Sequence, residues 1–118
     1  MDSPDERLVR RMADLLLERY RESAKCYPAH GGYRPIDDLA AHFYELGGEE
    51  QNCFRHAVAG LLNEQETEIP LSDLVWLAEI HHISEAAPAI HALLENLPPA
   101  IERVVVERAY RSLTRTPC

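Results

Sequence analysis

The sequence predicts an all-α fold of five to six helices, and three observations carry the prediction. Apolar residues recur at helical spacing along most of the chain, no stretch alternates with the period of two that a half-buried strand needs, and one helical hairpin is written twice. Asp38-Leu39 returns as Asp73-Leu74, 35 positions on, and Ala57-Val58-x-x-Leu61-Leu62 returns as Ala89-Ile90-x-x-Leu93-Leu94, 32 positions on. The expected architecture is a single domain over residues 1–118, built of stacked antiparallel hairpins as a helical repeat or as a compact helical bundle. With 46% hydrophobic and 27% charged residues, the chain has the composition of a globular protein with a real core.

An N-terminal helix is expected over about residues 4–26, opened by Ser3-Pro4-Asp5-Glu6 as a capping box with Pro at the first helical position. Its apolar face takes Leu8, Met12, Leu15, Leu16 and Ala24 with Val9, Ala13 and Tyr20, while Arg7, Arg10 and Arg11 share a solvated surface. Two prolines and Gly31-Gly32 make residues 27–35 a loop, in which Tyr27 and Tyr33 are candidate contact residues. The first hairpin, about 36–62, has Ile36, Leu39, Ala40 and Phe43 on its first helix, which Gly47-Gly48 closes with a left-handed residue. Glu49 and Glu50 then open a second helix whose buried stripe is Phe54, Ala57, Val58, Leu61 and Leu62.

An acidic loop, Asn63 to Pro70, leads into the second hairpin, about 71–97. Apolar residues cover nearly the whole circumference from Leu71 to Ile83, the pattern of a central helix. Ser84 is expected to cap the next helix, which carries Ala86, Ile90, Leu93, Leu94 and Leu97 and tolerates Pro88 in its first turn. Pro98-Pro99 starts the last helix, about 99–114, with Ile101, Val104, Val105, Ala109, Tyr110 and Leu113 apolar. Val104-Val105-Val106 would suit a strand, but Glu102-Arg103 and Glu107-Arg108 frame it at helical spacing and no second strand exists to pair with it.

Net charge is −8, and its distribution is uneven: residues 35–100 hold twelve acids against the single base Arg55, whereas both ends are near balance. A field of one sign repels phosphate backbones and attracts basic surfaces. The N-terminus, Met1 to Glu6, has neither a basic start nor an apolar run, and no stretch approaches the roughly 18 apolar residues of a membrane span. Cys26, Cys53 and Cys118 are an odd number at irregular spacings, which fits free thiols. Together these features predict a cytoplasmic chain without membrane or nucleic-acid partners.

Leu71 to Leu94, with Ser84-Glu85-Ala86-Ala87-Pro88-Ala89-Ile90 leading into Leu93-Leu94, resembles a HEAT-type helical repeat, of which Ile36 to Leu62 is a second copy. The resemblance covers about half the chain and implies stacked hairpins that bind other proteins, with no catalytic residues. The first copy departs from the pattern in having Gly47-Gly48 at its turn and His56 where the second has Pro88. Separately, Ile36-Asp37-Asp38-Leu39-Ala40-Ala41-His42-Phe43 looks like the first helix of a helix-turn-helix DNA reader. Its would-be recognition helix begins Glu49-Glu50-Gln51-Asn52, where phosphate contacts need Lys and Arg.

Glu79-x-x-His82 is half of a carboxylate di-metal motif without its second half, and Cys53-x-x-His56 is half of a four-ligand zinc site. His81-His82 falls at a helix C-terminus, where the dipole favours the protonated imidazole. No turn carries a nucleophile beside a base. The sequence therefore points away from an enzyme and implies no metal or cofactor. It points to a small protein-protein interaction module for a basic partner, in the role of an inhibitor, immunity protein or adaptor. The expected contact residues are Glu49, Glu50, Glu64, Glu66, Glu68, Trp76, Tyr27 and Tyr33. A helix-turn-helix regulator is the alternative, and a metal-dependent enzyme ranks behind it.

Overall fold

A computed structural model describes residues 4–26, 34–65 and 68–115. Among them there are six α-helices and no strand: α1 (Glu6–Cys26), α2 (Pro35–Glu45), α3 (Gly48–Asn63), α4 (Leu71–Ile80), α5 (Ala87–Glu95) and α6 (Arg103–Thr114), with a 3-10 turn at Ser84–Ala86 leading into α5. The core draws on every helix, with Leu16, Ile36, Leu39, Phe54, Leu62, Leu74, Leu77, Ile90 and Val106 fully buried. Leu61 and Leu93, matched positions of the repeat, are both buried as the pattern requires.

The helices form a compact bundle, and the repeat does not set who packs on whom. α2 lies mainly on α1 and α4, α3 on α1, α4 and the start of α5, and α6 on α4 and α5; the closest helix pairs are not α2 with α3 or α4 with α5. The reason is local. The corner between α2 and α3 is made by Leu46 and Gly47, both in extended backbone with negative φ, so the chain turns away instead of folding back. Neither Gly47 nor Gly48 is left-handed, contrary to the sequence expectation. Gly47 instead precedes α3, and the Glu50 carboxylate accepts from its backbone N–H at 3.5 Å.

Left-handed residues appear where glycine was not available, at Gln65 (φ 52°) and His82 (φ 48°). His82 closes α4 immediately before Ile83. The Ile83 N–H donates to the Ala78 carbonyl at 2.8 Å and the His82 N–H to the Glu79 carbonyl at 3.1 Å, a Schellman closure that folds Ile83 back into the core. Ile69 pins the acidic loop in the same way, fully buried just before α4.

Other boundaries shift for similar reasons. The start of α1 is capped by Asp5, whose Oδ1 accepts from the Arg7 N–H at 2.8 Å; Ser3 lies outside the described residues. Ser84 makes no capping bond. Pro98 to Ile101 form a turn, so α6 begins at Arg103, not at the prolines, and its buried face becomes Val106, Ala109 and Leu113 while Val104 is 62% exposed. Thr114 is the last helical residue, at the expected C-terminal bound, its Oγ1 donating to the Tyr110 carbonyl at 2.8 Å.

Polar contacts tie α1 to the bundle. Arg19 Nε and Ser23 Oγ donate to Asp38 Oδ2 at 2.8 and 3.0 Å, which explains why Ser23 is buried on an otherwise apolar face. Burial would raise the Asp38 carboxyl, but these donors hold it below its usual range. Tyr20 donates to Asp73 at 3.2 Å, and burial together with that carboxylate pushes the phenol up to about 12.

Candidate functional site

The surface feature that stands out is the junction of α1 and α3. α3 passes beneath α1, so that its first turns border one side of α1 and its last turns the other. On the first side lies a shallow groove of about 450 Å³, lined by Leu8, Arg11, Met12, Asp14, Leu15, Glu18, Glu49, Glu50 and Cys53. Leu8 and Leu15 are 49% and 44% exposed there, although both were expected in the core. The core-facing side of α1 centres on Met12, Leu16 and Ser23, with Val9, Ala13, Leu17 and Tyr20 packed at its edges, and a helix packed mainly on α2 and α3 cannot bury leucines all round. A second groove, about 510 Å³, runs along the other side of α1 past Arg10, His56, Gly60 and Glu64.

The expected contact residues are therefore dispersed. Glu49 and Glu50 are exposed in the first turn of α3 and border the apolar groove. Glu64 is exposed beside the second groove, just past the end of α3. Glu68 is engaged by Arg21, whose Nε donates to its Oε2 at 2.5 Å, and that bond holds its carboxyl below the usual range. Trp76 is half-buried against the core with the Arg34 guanidinium 4.9 Å above its ring, so it is not a free apolar anchor. Glu66, Tyr27 and Tyr33 lie outside the described residues. Sequence reasoning missed Leu8, Leu15, Asp14 and Glu18. The available signal was an apolar arc on α1 too wide for one buried face.

No family model, curated protein or solved structure matches this chain. Function must be read from the site.

The candidate ligand pairs do not assemble into metal sites. His82 sits beyond the end of α4 in left-handed backbone, so it does not share a helix face with Glu79, whose Oε1 accepts from Arg108 Nη2 at 3.2 Å. His56 Nδ1 lies 3.0 Å from the Asn52 carbonyl, and Cys53 is buried. Burial, with the nearby carboxylates of Glu49, Asp5 and Glu50, pushes the Cys53 thiol up, which favours the unreactive protonated form. Among the described residues no three His, Cys, Asp or Glu side chains come together as a metal site would require, and no helix is long and apolar enough to cross a membrane.

His81 behaves opposite to the dipole expectation. Its ring is buried, stacked on Phe43 at 4.2 Å and edge-on to Tyr44 and Phe54, with Nε2 3.0 Å from the Ala40 carbonyl. Burial pushes the imidazole below its ordinary 6.5, opposed by the Ala40 hydrogen bond and assisted by Arg55. The neutral tautomer with the proton on Nε2 satisfies this geometry. A histidine whose folded pKa is depressed leaves stability unaffected above its unfolded value and destabilises the fold as pH falls below it, because the unfolded chain takes up a proton the folded one refuses. Urea denaturation between about pH 7.5 and 5.5 should show stability falling with acidification. In His81→Phe much of that slope should vanish; an unchanged slope would assign it to other groups.

Proposed function

We propose that the chain is a protein-protein interaction module that docks on a basic partner protein in the cytoplasm, as an inhibitor, immunity protein or adaptor. The observation that carries this reading is the apolar groove beside α1, where two exposed leucines are bordered by Asp14, Glu18, Glu49 and Glu50 with Arg11 as its one base. Apolar anchors supply residence time and surrounding carboxylates steer a basic surface onto them. The HEAT resemblance accords with a binding role, although the packing is that of a bundle. The carboxylates also weigh against the helix-turn-helix alternative, since Glu49 and Glu50 occupy the first turn of the helix that would enter DNA.

Charge reversal tests the reading. A partner captured by pull-down should associate more slowly as salt rises past about 0.15 M, where screening shortens to roughly 8 Å. Glu49→Lys with Glu50→Lys should lower the association rate by about tenfold while leaving the helical spectrum intact, with a small penalty from placing cations at the positive end of α3. Glu64→Lys with Glu66→Lys, of which Glu64 borders the second groove, should act more weakly. Association rates unmoved by either pair would make the acidic surface a solvated face and end this reading; DNA binding gained by either would favour a regulator.

A further inference from the structure

We infer that the groove between α1 and the start of α3 receives a basic amphipathic helix of the partner, laid along α1. The inference rests on the basic-partner reading and specifies what docks and where. The floor is apolar: Leu8, Met12 and Leu15 of α1 lie beside Cys53 of α3. Leu8 and Leu15 stand roughly 10 Å apart along the helix axis, the spacing at which a facing helix presents anchors two turns apart. The α1 lining runs from Leu8 to Glu18, a span of roughly 15 Å that matches about three turns of a docked helix.

A helix fits this floor better than an extended segment for a reason of hydrogen bonding. Leucine and methionine side chains offer no partners to a peptide backbone, and the described residues contain no strand whose edge could pair with one. A helix satisfies its own N–H and C=O groups and can lay an apolar stripe directly on Leu8 and Leu15. Its flanks would then meet Glu49 and Glu50 on the α3 side, and Asp14 and Glu18 along α1. The groove carries four carboxylates against the guanidinium of Arg11, so lysines and arginines on both flanks are favoured. That excess also disfavours a second copy of this chain as occupant, because a two-fold contact would set the same carboxylates against one another.

The probe is a labelled peptide of about 18 residues, with leucines on one helical stripe and lysines on both flanks. Its control is a scrambled peptide of the same composition and charge. Fluorescence anisotropy should show the amphipathic peptide binding at least about tenfold tighter than the scrambled one. Leu8→Ser with Leu15→Ser should remove most of that advantage; both positions are half-exposed, and circular dichroism checks that the fold survives. Glu49→Gln with Glu50→Gln should weaken binding independently and flatten its salt dependence.

Equal binding of the two peptides, or a preference that survives the leucine substitutions, overturns the helix-in-groove inference while leaving the basic-partner reading standing. Failure of both peptides to bind at low salt overturns both. Dimerisation in sedimentation that is lost in the leucine variant, without peptide binding, assigns the groove to a second copy and overturns the inference.

Discussion

Leu61→Ala and Leu93→Ala should each destabilise the protein by roughly 2 to 5 kcal/mol, lowering the urea midpoint without changing the helical spectrum of the folded state. Both leucines are almost fully buried, and each occupies the same place in its copy of the repeat. Truncation removes their transfer free energy and leaves a cavity whose cost depends on how far the surroundings collapse. On that ground the two should differ in size. Leu61 borders the groove of about 510 Å³ between α3 and α1, where water or a small movement of α1 can relieve the void. Leu93 lies on α5, held between α3 and α6, and lines neither of the two grooves beside α1. Leu93→Ala should therefore be the more damaging. A midpoint unmoved by either substitution would show that the helix concerned is phased differently.

Arg55→Ala should be the most costly substitution outside the apolar core, at roughly 1 to 3 kcal/mol. The guanidinium reaches from α3 to the turn between α4 and α5. There its Nε and Nη2 donate to the two Glu85 carboxylate oxygens at 3.0 and 2.6 Å, and Nη2 also donates to the His82 carbonyl at 3.1 Å. The second contact satisfies a backbone group exposed by the left-handed closure of α4, so one side chain both completes a helix end and joins three elements. The pair is partly open to solvent, which keeps the expected cost below that of a fully buried ion pair.

Its pH signature is specific. Burial would raise the Glu85 carboxyl, but Arg55 holds it below the usual range. Stability from this pair is thus present above the ordinary carboxylate pKa and lost as pH falls through the folded value. Arg55→Ala should flatten the acid limb of stability against pH, and Arg55→Lys should restore the charge without the bidentate geometry and recover only part of the loss. Additive effects of Arg55→Ala and Glu85→Gln in a double-mutant cycle would show that the pair contributes nothing jointly.

What the sequence determined by itself was the class of the fold and most of its core. The 3.6-residue period marked α2 and α3 residue by residue, from Ile36 and Leu39 through Phe54, Val58 and Leu62, because a short amphipathic helix with one apolar stripe has one way to bury it. The same logic failed on α1, where apolar residues on more than one face left Leu8 and Leu15 to solvent, and on α6, where a start four residues past Pro99 exchanged Val104 for Val106 in the core. Helix ends were decided by backbone hydrogen bonds that composition does not announce: a left-handed His82, an extended corner at Leu46 and Gly47.

Only the tertiary structure decided which charges are available. The sequence made Arg55 conspicuous as the one base among twelve acids, yet its partner Glu85 lies 30 positions away and no local spacing names it. Glu68 and Trp76, expected at the contact surface, are engaged by Arg21 and Arg34, whereas Glu49 and Glu50 stand beside leucines from a helix more than thirty positions earlier in the chain. Which carboxylates are spent inside the fold and which border an apolar groove depends on how α1 crosses α3. That crossing is set by packing between distant segments, for which the order of residues along either helix carries no local mark.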